Sequence, residues 1–95
     1  MITPKRILVV DDDQSICLTL SLALNDLGYA LETAHSGEAA LSAIAQRNFG
    51  IVLLDIWMPG IDGMQTLHRI KLIAPQTRVI MMTAHGGIES AVAAM

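Results

Sequence analysis

Four aspartates stand where strands should end. Asp11, Asp12 and Asp13 follow directly on the apolar run Ile7-Leu8-Val9-Val10, and Asp55 follows directly on Ile51-Val52-Leu53-Leu54. Thr83 follows a third such run, Val79-Ile80-Met81-Met82. In an open parallel sheet, ligands bind beyond the carboxyl ends of the strands, where neighbouring connections diverge to opposite faces. If the first and third strands are neighbours, one crevice collects carboxylates from both. Two carboxylates about 4 Å apart repel by roughly 4 kcal/mol at an effective dielectric of about 20, so a cation is required. A few hard oxygen donors with room left for water suit Mg²⁺ better than zinc. Beside such a metal, Asp55 can act as an oxygen nucleophile toward a phosphoryl group and form an acyl phosphate. The cation and a nearby hydroxyl, for which Thr83 is the candidate, would neutralise charge on the equatorial oxygens. An acyl phosphate is labile, so the modified state would be a timed switch between two arrangements of the surrounding loops.

The elements that must hold these acids can be read from the apolar period. Residues 7–10 and 51–54 show no alternation, the pattern of strands buried on both faces of a parallel sheet. From Gln14 to Leu27 the apolar positions Ile16, Leu20, Ala23 or Leu24, and Leu27 recur at three and four, and Gly28 follows as a stop. Residues 29–34 form a weaker strand candidate. Ser36 can then cap a helix over residues 37–46. Met58-Pro59-Gly60 signals a loop, and Asp62 can cap a helix carrying Met64, Leu67, Ile70 and Ala74 as a core-facing stripe, stopped by Pro75. The run at 79–82 is the fourth strand, and an Ala-rich helical start covers residues 88–95. Strand and helix alternate four times. The expectation is an α/β domain with a doubly wound parallel sheet and right-handed crossovers.

Composition excludes other classes. The chain has 95 residues, 53% of them hydrophobic and 16% charged, with a mean hydropathy of +0.51, which is core material for one folded unit and excludes a disordered chain. No apolar run approaches the roughly 18 to 20 residues of a bilayer span. Lys5 and Arg6 precede the first apolar run, but aspartates follow it instead of a cleavage site, so export is not expected. A single cysteine, Cys17, fits a reducing cytosol. The net charge is −3, with no basic stripe that could track phosphates along nucleic acid. Without the four aspartates named above, six basic and five acidic residues remain. The acidity is therefore local.

Ile7-Leu8-Val9-Val10-Asp11-Asp12, then Asp55-Ile56-Trp57-Met58-Pro59-Gly60-Ile61-Asp62-Gly63, then Met82-Thr83-Ala84, in this order and at these spacings, resemble the receiver domain of two-component response regulators. The resemblance covers residues 1–95 and implies a flavodoxin-like sheet in the order 2-1-3-4-5, of which four strands and about four helices are present. It implies that Asp55 is the phosphoacceptor and Asp12 a direct Mg²⁺ ligand. Asp11 would lie one shell further out, the Trp57 backbone carbonyl would complete protein ligation, and Thr83 with the Ala84 amide would meet the phosphoryl oxygens. Trp57 and His85 would flank the mouth of the site and tune the lifetime of the acyl phosphate, the bulk of Trp57 limiting water access. The donor would be a phosphohistidine of a sensor histidine kinase, and the location cytoplasmic. Activity toward other molecules is not expected beyond self-phosphorylation from a phosphodonor and autodephosphorylation.

In the family an essential lysine follows the fifth strand and an aromatic switch residue lies on that strand. This chain ends before either, and Lys5 and Lys71 stand in the wrong places to substitute. The domain is therefore expected to be incomplete at its C-terminus. Residues 91–95 stop inside a helix-forming run, and the open edge at residues 79–82, or the fourth-helix region, would favour a homodimer. Two other readings compete: a non-switching interaction module, and a small Mg²⁺-dependent aspartyl-phosphate phosphatase. The second is disfavoured because Trp57 occupies the position where such phosphatases carry an acid. Residues 82–95 faintly resemble receivers of enhancer-binding transcription activators. Elsewhere, Asp13 reads as a helix start, His35 and His68 as solvated or partly packed, Cys17 as an unactivated small helix residue, and the six methionines as core filler.

Overall fold

The computed structural model describes residues 6–58, 60 and 62–82. Thr83, Ala84, His85 and the helix expected over 88–95 lie outside the described residues. Within them the order is β1 (Arg6–Val10), α1 (Gln14–Asn25), β2 (Ala30–Ala34), α2 (Gly37–Gln46), β3 (Ile51–Asp55), α3 (Gly63–Ile73) and β4 (Arg78–Met82). Three helices and four strands are thus described.

Each helix starts on a side-chain cap. The Asp13 carboxylate accepts from the Ser15 and Ile16 amides at 2.8 and 3.4 Å, and Ser36 Oγ accepts from the Ala39 amide at 3.0 Å. Asp62 Oδ1 accepts from the Gln65 amide at 2.8 Å while the Asp62 amide donates to Gln65 Oε1 at 3.4 Å, a reciprocal box that satisfies two otherwise orphaned donors. At the other end of α1 the chain turns through Gly28, whose φ of +90° is readily adopted only without a side chain. The helix closes earlier than its apolar spacing suggests. Leu27 lies two residues beyond it in a tight turn, its amide bonded to the Leu24 carbonyl at 3.0 Å, and that turn swings its side chain into solvent.

The four strands form one parallel sheet in the order β2-β1-β3-β4. This is the expected doubly wound, flavodoxin-like arrangement. Ile7, Leu8, Val9 and Val10 are all buried because successive side chains of β1 enter different cores. Leu8 and Val10 join Val52, Leu54, Val79, Met81, Ile44 of α2 and Ile70 of α3 on one face. Ile7 and Val9 join Cys17, Leu20 and Leu24 of α1 on the other. Connections leaving β1 and β3 therefore run to opposite faces, which opens a crevice at their carboxyl ends.

One expected core position faces the wrong way. Met64 is exposed, because α3 buries Gly63, Thr66 and Ile70, and residue 64 lies about 100° round the helix from Gly63. That phase is imposed by Gly63. A Cβ there would stand 2.5 Å from the Asp55 carbonyl oxygen and 2.6 Å from Ile56 Cα, so only glycine lets the first turn of α3 lie against the end of β3. Thr66 is fully buried, with its hydroxyl donating to the Asp62 carbonyl at 2.8 Å. No helix of the described residues is long and apolar enough to cross a membrane.

Candidate functional site

Adjacent, in-register β1 and β3 deliver their terminal acids to the same rim. Val10 pairs with Leu54, so the next residues in each strand, Asp11 and Asp55, leave the sheet side by side. Asp11, Asp12 and Asp55 each offer a carboxylate oxygen, and these atoms all lie within 4.8 Å of one another. Asp11 and Asp55 are buried and Asp12 is exposed. Asp13 stays out of the cluster because its carboxylate caps α1.

Backbone contacts fix the two buried acids. Trp57 N–H donates to Asp55 Oδ1 at 3.2 Å, which folds the loop after β3 back over its own strand end. The Ile56 amide donates to the Met82 carbonyl at 3.0 Å, and Gly63 N–H donates to the Ile56 carbonyl at 3.1 Å. Loop, β4 and α3 are thereby tied together around Asp55. On the β1 side, Asp13 N–H donates to Asp11 Oδ1 at 2.9 Å, and Asp11 N–H donates to the Ala34 carbonyl at 3.0 Å. The Trp57 indole projects outward and is 68% exposed.

Burial pushes the carboxyl groups of Asp11 and Asp55 above the ordinary range. The backbone donors at Asp13 and Trp57 oppose this; the charges of Asp55, Asp12 and Asp13 add to it at Asp11, and that of Asp12 adds to it at Asp55, where hydrogen bonding with the Asp11 side chain works the other way. No basic side chain relieves the repulsion among the described residues, where the one ion pair joins Arg47 to Glu32 through two 2.7 Å contacts. An all-oxygen, compact and uncompensated donor set fits a hard divalent cation. A cleft of about 380 Å³ opens beside Asp11 and Asp55, walled by Ser15, Ile16 and Leu20 of α1 and by Met82.

Two residues that the sequence left without a role belong to this surround. Cys17 Sγ and His35 Nδ1 lie 3.4 and 3.1 Å from the Asp11 carbonyl oxygen. Burial and the Asp11 charge raise the Cys17 thiol's pKa, so it stays protonated and unreactive. A clue for His35 was available: it follows β2 directly, as Asp11 follows β1.

The model of the response regulator receiver domain family matches residues 7–95. The transcriptional regulatory protein ZraR of Escherichia coli O157:H7 is 44% identical over 89 residues, which are 94% of this chain and 20% of that protein. The nitrogen assimilation regulatory protein NtrX of Azorhizobium caulinodans is 42% identical over 91 residues, again 94% and 20%. The chain thus spans about a fifth of the length of these relatives. Among solved structures, the response regulator TrrA of Thermotoga maritima, in complex with Mg²⁺ and BeF, superposes with a TM-score of 0.82 at 40% identity, over 86% of this chain and 71% of that one.

Proposed function

Because the chain belongs to the response regulator receiver domain family, we propose that it is the phosphoacceptor of a two-component relay, taking a phosphoryl group on Asp55 from the phosphohistidine of a sensor kinase. The observation that carries the reading is the convergence of Asp11, Asp12 and Asp55 within 4.8 Å at the ends of two adjacent strands.

Trp57 N–H engages Asp55 Oδ1, which leaves the other carboxylate oxygen as the nucleophile. That oxygen forms the new O–P bond as the P–N bond of the phosphohistidine breaks, and the electron pair returns to the imidazole. Asp12, the exposed member, and Asp55 are the candidate direct ligands of Mg²⁺. Asp11 is held deeper and orients from behind, and the Trp57 carbonyl is a further candidate ligand. Mg²⁺ would supply positive charge to the carboxylates and to the phosphoryl oxygens in transfer. The TrrA structure, with its Mg²⁺ and BeF, supports that choice of cation and chemistry. Thr83 and Ala84 are proposed to meet the phosphoryl oxygens, and Trp57 and His85 to border the entrance. Loss of the phosphoryl group by hydrolysis resets the switch, and the cytoplasm is the compartment where a kinase of this kind would reach it.

Incubation with acetyl phosphate and Mg²⁺, followed by intact mass measurement, tests the proposal. A single 80 Da increment that requires Mg²⁺ and is absent from Asp55→Asn is expected. Equal labelling of the variant, or labelling indifferent to chelator, would sink it.

A further inference from the structure

The Asp11 carbonyl is held by two side chains from different elements. His35, in the turn between β2 and α2, places Nδ1 3.1 Å from that oxygen. Cys17, in the first turns of α1, places Sγ 3.4 Å from it. A carbonyl oxygen only accepts, so the contact requires His35 to carry its proton on Nδ1. Its two lone pairs can serve the imidazole and the thiol together. The Sγ to Nδ1 separation of 3.7 Å brings the two donors side by side.

This oxygen belongs to the peptide that joins Asp11 to Asp12. With Asp11 N–H bonded to the Ala34 carbonyl and Asp11 Oδ1 bonded to Asp13 N–H, it is the remaining hydrogen-bonding group on the Asp11 main chain. Fixing it sets the plane of the Asp11–Asp12 peptide and hence the direction in which the exposed Asp12 carboxylate leaves the chain. Cys17 is buried and anchored in the α1 core, whereas His35 is exposed, has no packing duty in either core cluster, and is spent on this contact.

We infer that His35 is a positioning residue for the acidic site: its Nδ1–H, seconded by the Cys17 thiol, orients the Asp11–Asp12 peptide so that the carboxylates converge on one cation. The inference rests on the cation reading of that site. Outer hydrogen bonds of this type govern metal affinity by aiming ligands rather than by touching the ion.

The test is a Mg²⁺ titration of the full chain at one fixed pH, followed by the emission of Trp57, the single tryptophan of these 95 residues. Thermal midpoints in chelator are measured alongside. His35→Ala is expected to weaken Mg²⁺ binding about fivefold, the scale of one net hydrogen bond, with the metal-free midpoint essentially unchanged because the side chain is exposed. His35→Asn, whose amide nitrogen can reach the same carbonyl, is expected to restore affinity to within about twofold of the parent. Parent-like binding by His35→Ala overturns the assignment, and so does His35→Asn binding as weakly as His35→Ala. A loss confined to the metal-free midpoint would mark a merely structural residue and also overturns it. If the parent gives no Mg²⁺ isotherm, the cation reading itself fails, an outcome distinct from a parent that binds and an alanine variant that binds equally well.

Discussion

Burial and neighbouring charge make the ionised Asp55 costly to the folded chain. Its folded pKa lies above the unfolded value of about 3.9. Between those two values the folded state holds more protons than the unfolded one, so stability falls as pH rises through the window and stays lower above it. Asp55→Asn keeps an acceptor for Trp57 N–H and removes the charge. In chelator at neutral pH the variant is expected to be more stable than the parent by on the order of 1 kcal/mol, several degrees in Tm. The gap should close as pH falls toward 4, where the parent carboxyl also becomes neutral. Thermal melts at the two pH values check this, and a parent as stable as the variant at neutral pH would contradict it. The three acids were legible because charges placed directly after fully apolar runs have few bland explanations. His35 and Cys17 were not. Their role depends on the β1–β2 register, which sets Arg6 opposite Ala30 and Val10 opposite Ala34, and on the phase of α1 that turns Cys17 inward. Neither is written in local spacing.

At the level of elements, α3 shows how a local signal carries a tertiary constraint. Asp62 announced the start of the helix from residue type alone, and Pro75 announced its end; the reciprocal bond from Gln65 came with the structure. The helix runs from Gly63 to Ile73, with Ala74 as its cap. The orientation of its apolar face was hidden, because Met64 is as apolar as Ile70 and only the contact of Gly63 with Asp55 and Ile56 decides which of them is buried. Gly63→Ala would drive a methyl group into that backbone and push α3 away from β3. It is expected to destabilise the domain by roughly 2 kcal/mol and to loosen the Trp57 loop over Asp55. Asp62→Ala removes a cap without moving the helix, at a cost of about 1 kcal/mol. Urea unfolding of both variants ranks them, and a Gly63→Ala variant no weaker than Asp62→Ala would refute the close-approach account.

Across the whole molecule, the acidic rim is assembled from strand ends that the unfolded chain keeps apart, so a divalent cation binds the folded state and has little purchase on the unfolded one. Mg²⁺ should therefore raise Tm with a logarithmic dependence on concentration above its dissociation constant, about 2.7 kcal/mol at a hundredfold excess over that constant. Differential scanning calorimetry in millimolar Mg²⁺ against chelator measures it. Absence of any shift would argue against a cation at the three carboxylates. Asp55→Asn should show a smaller shift than the parent, since it begins without the full repulsion.

The pairing of β1 with β3 also has a consequence in time. Ile7 meets Ile51, 44 positions further along, so the intervening chain must be looped out before the two strands touch. Neighbours in sequence can form helices within microseconds, whereas such distant parallel pairings come late and slow the search. Asp11 and Asp55 therefore stay strangers during most of folding. Their mutual repulsion is felt only as the central pair of strands closes, at the step where the chain already struggles most.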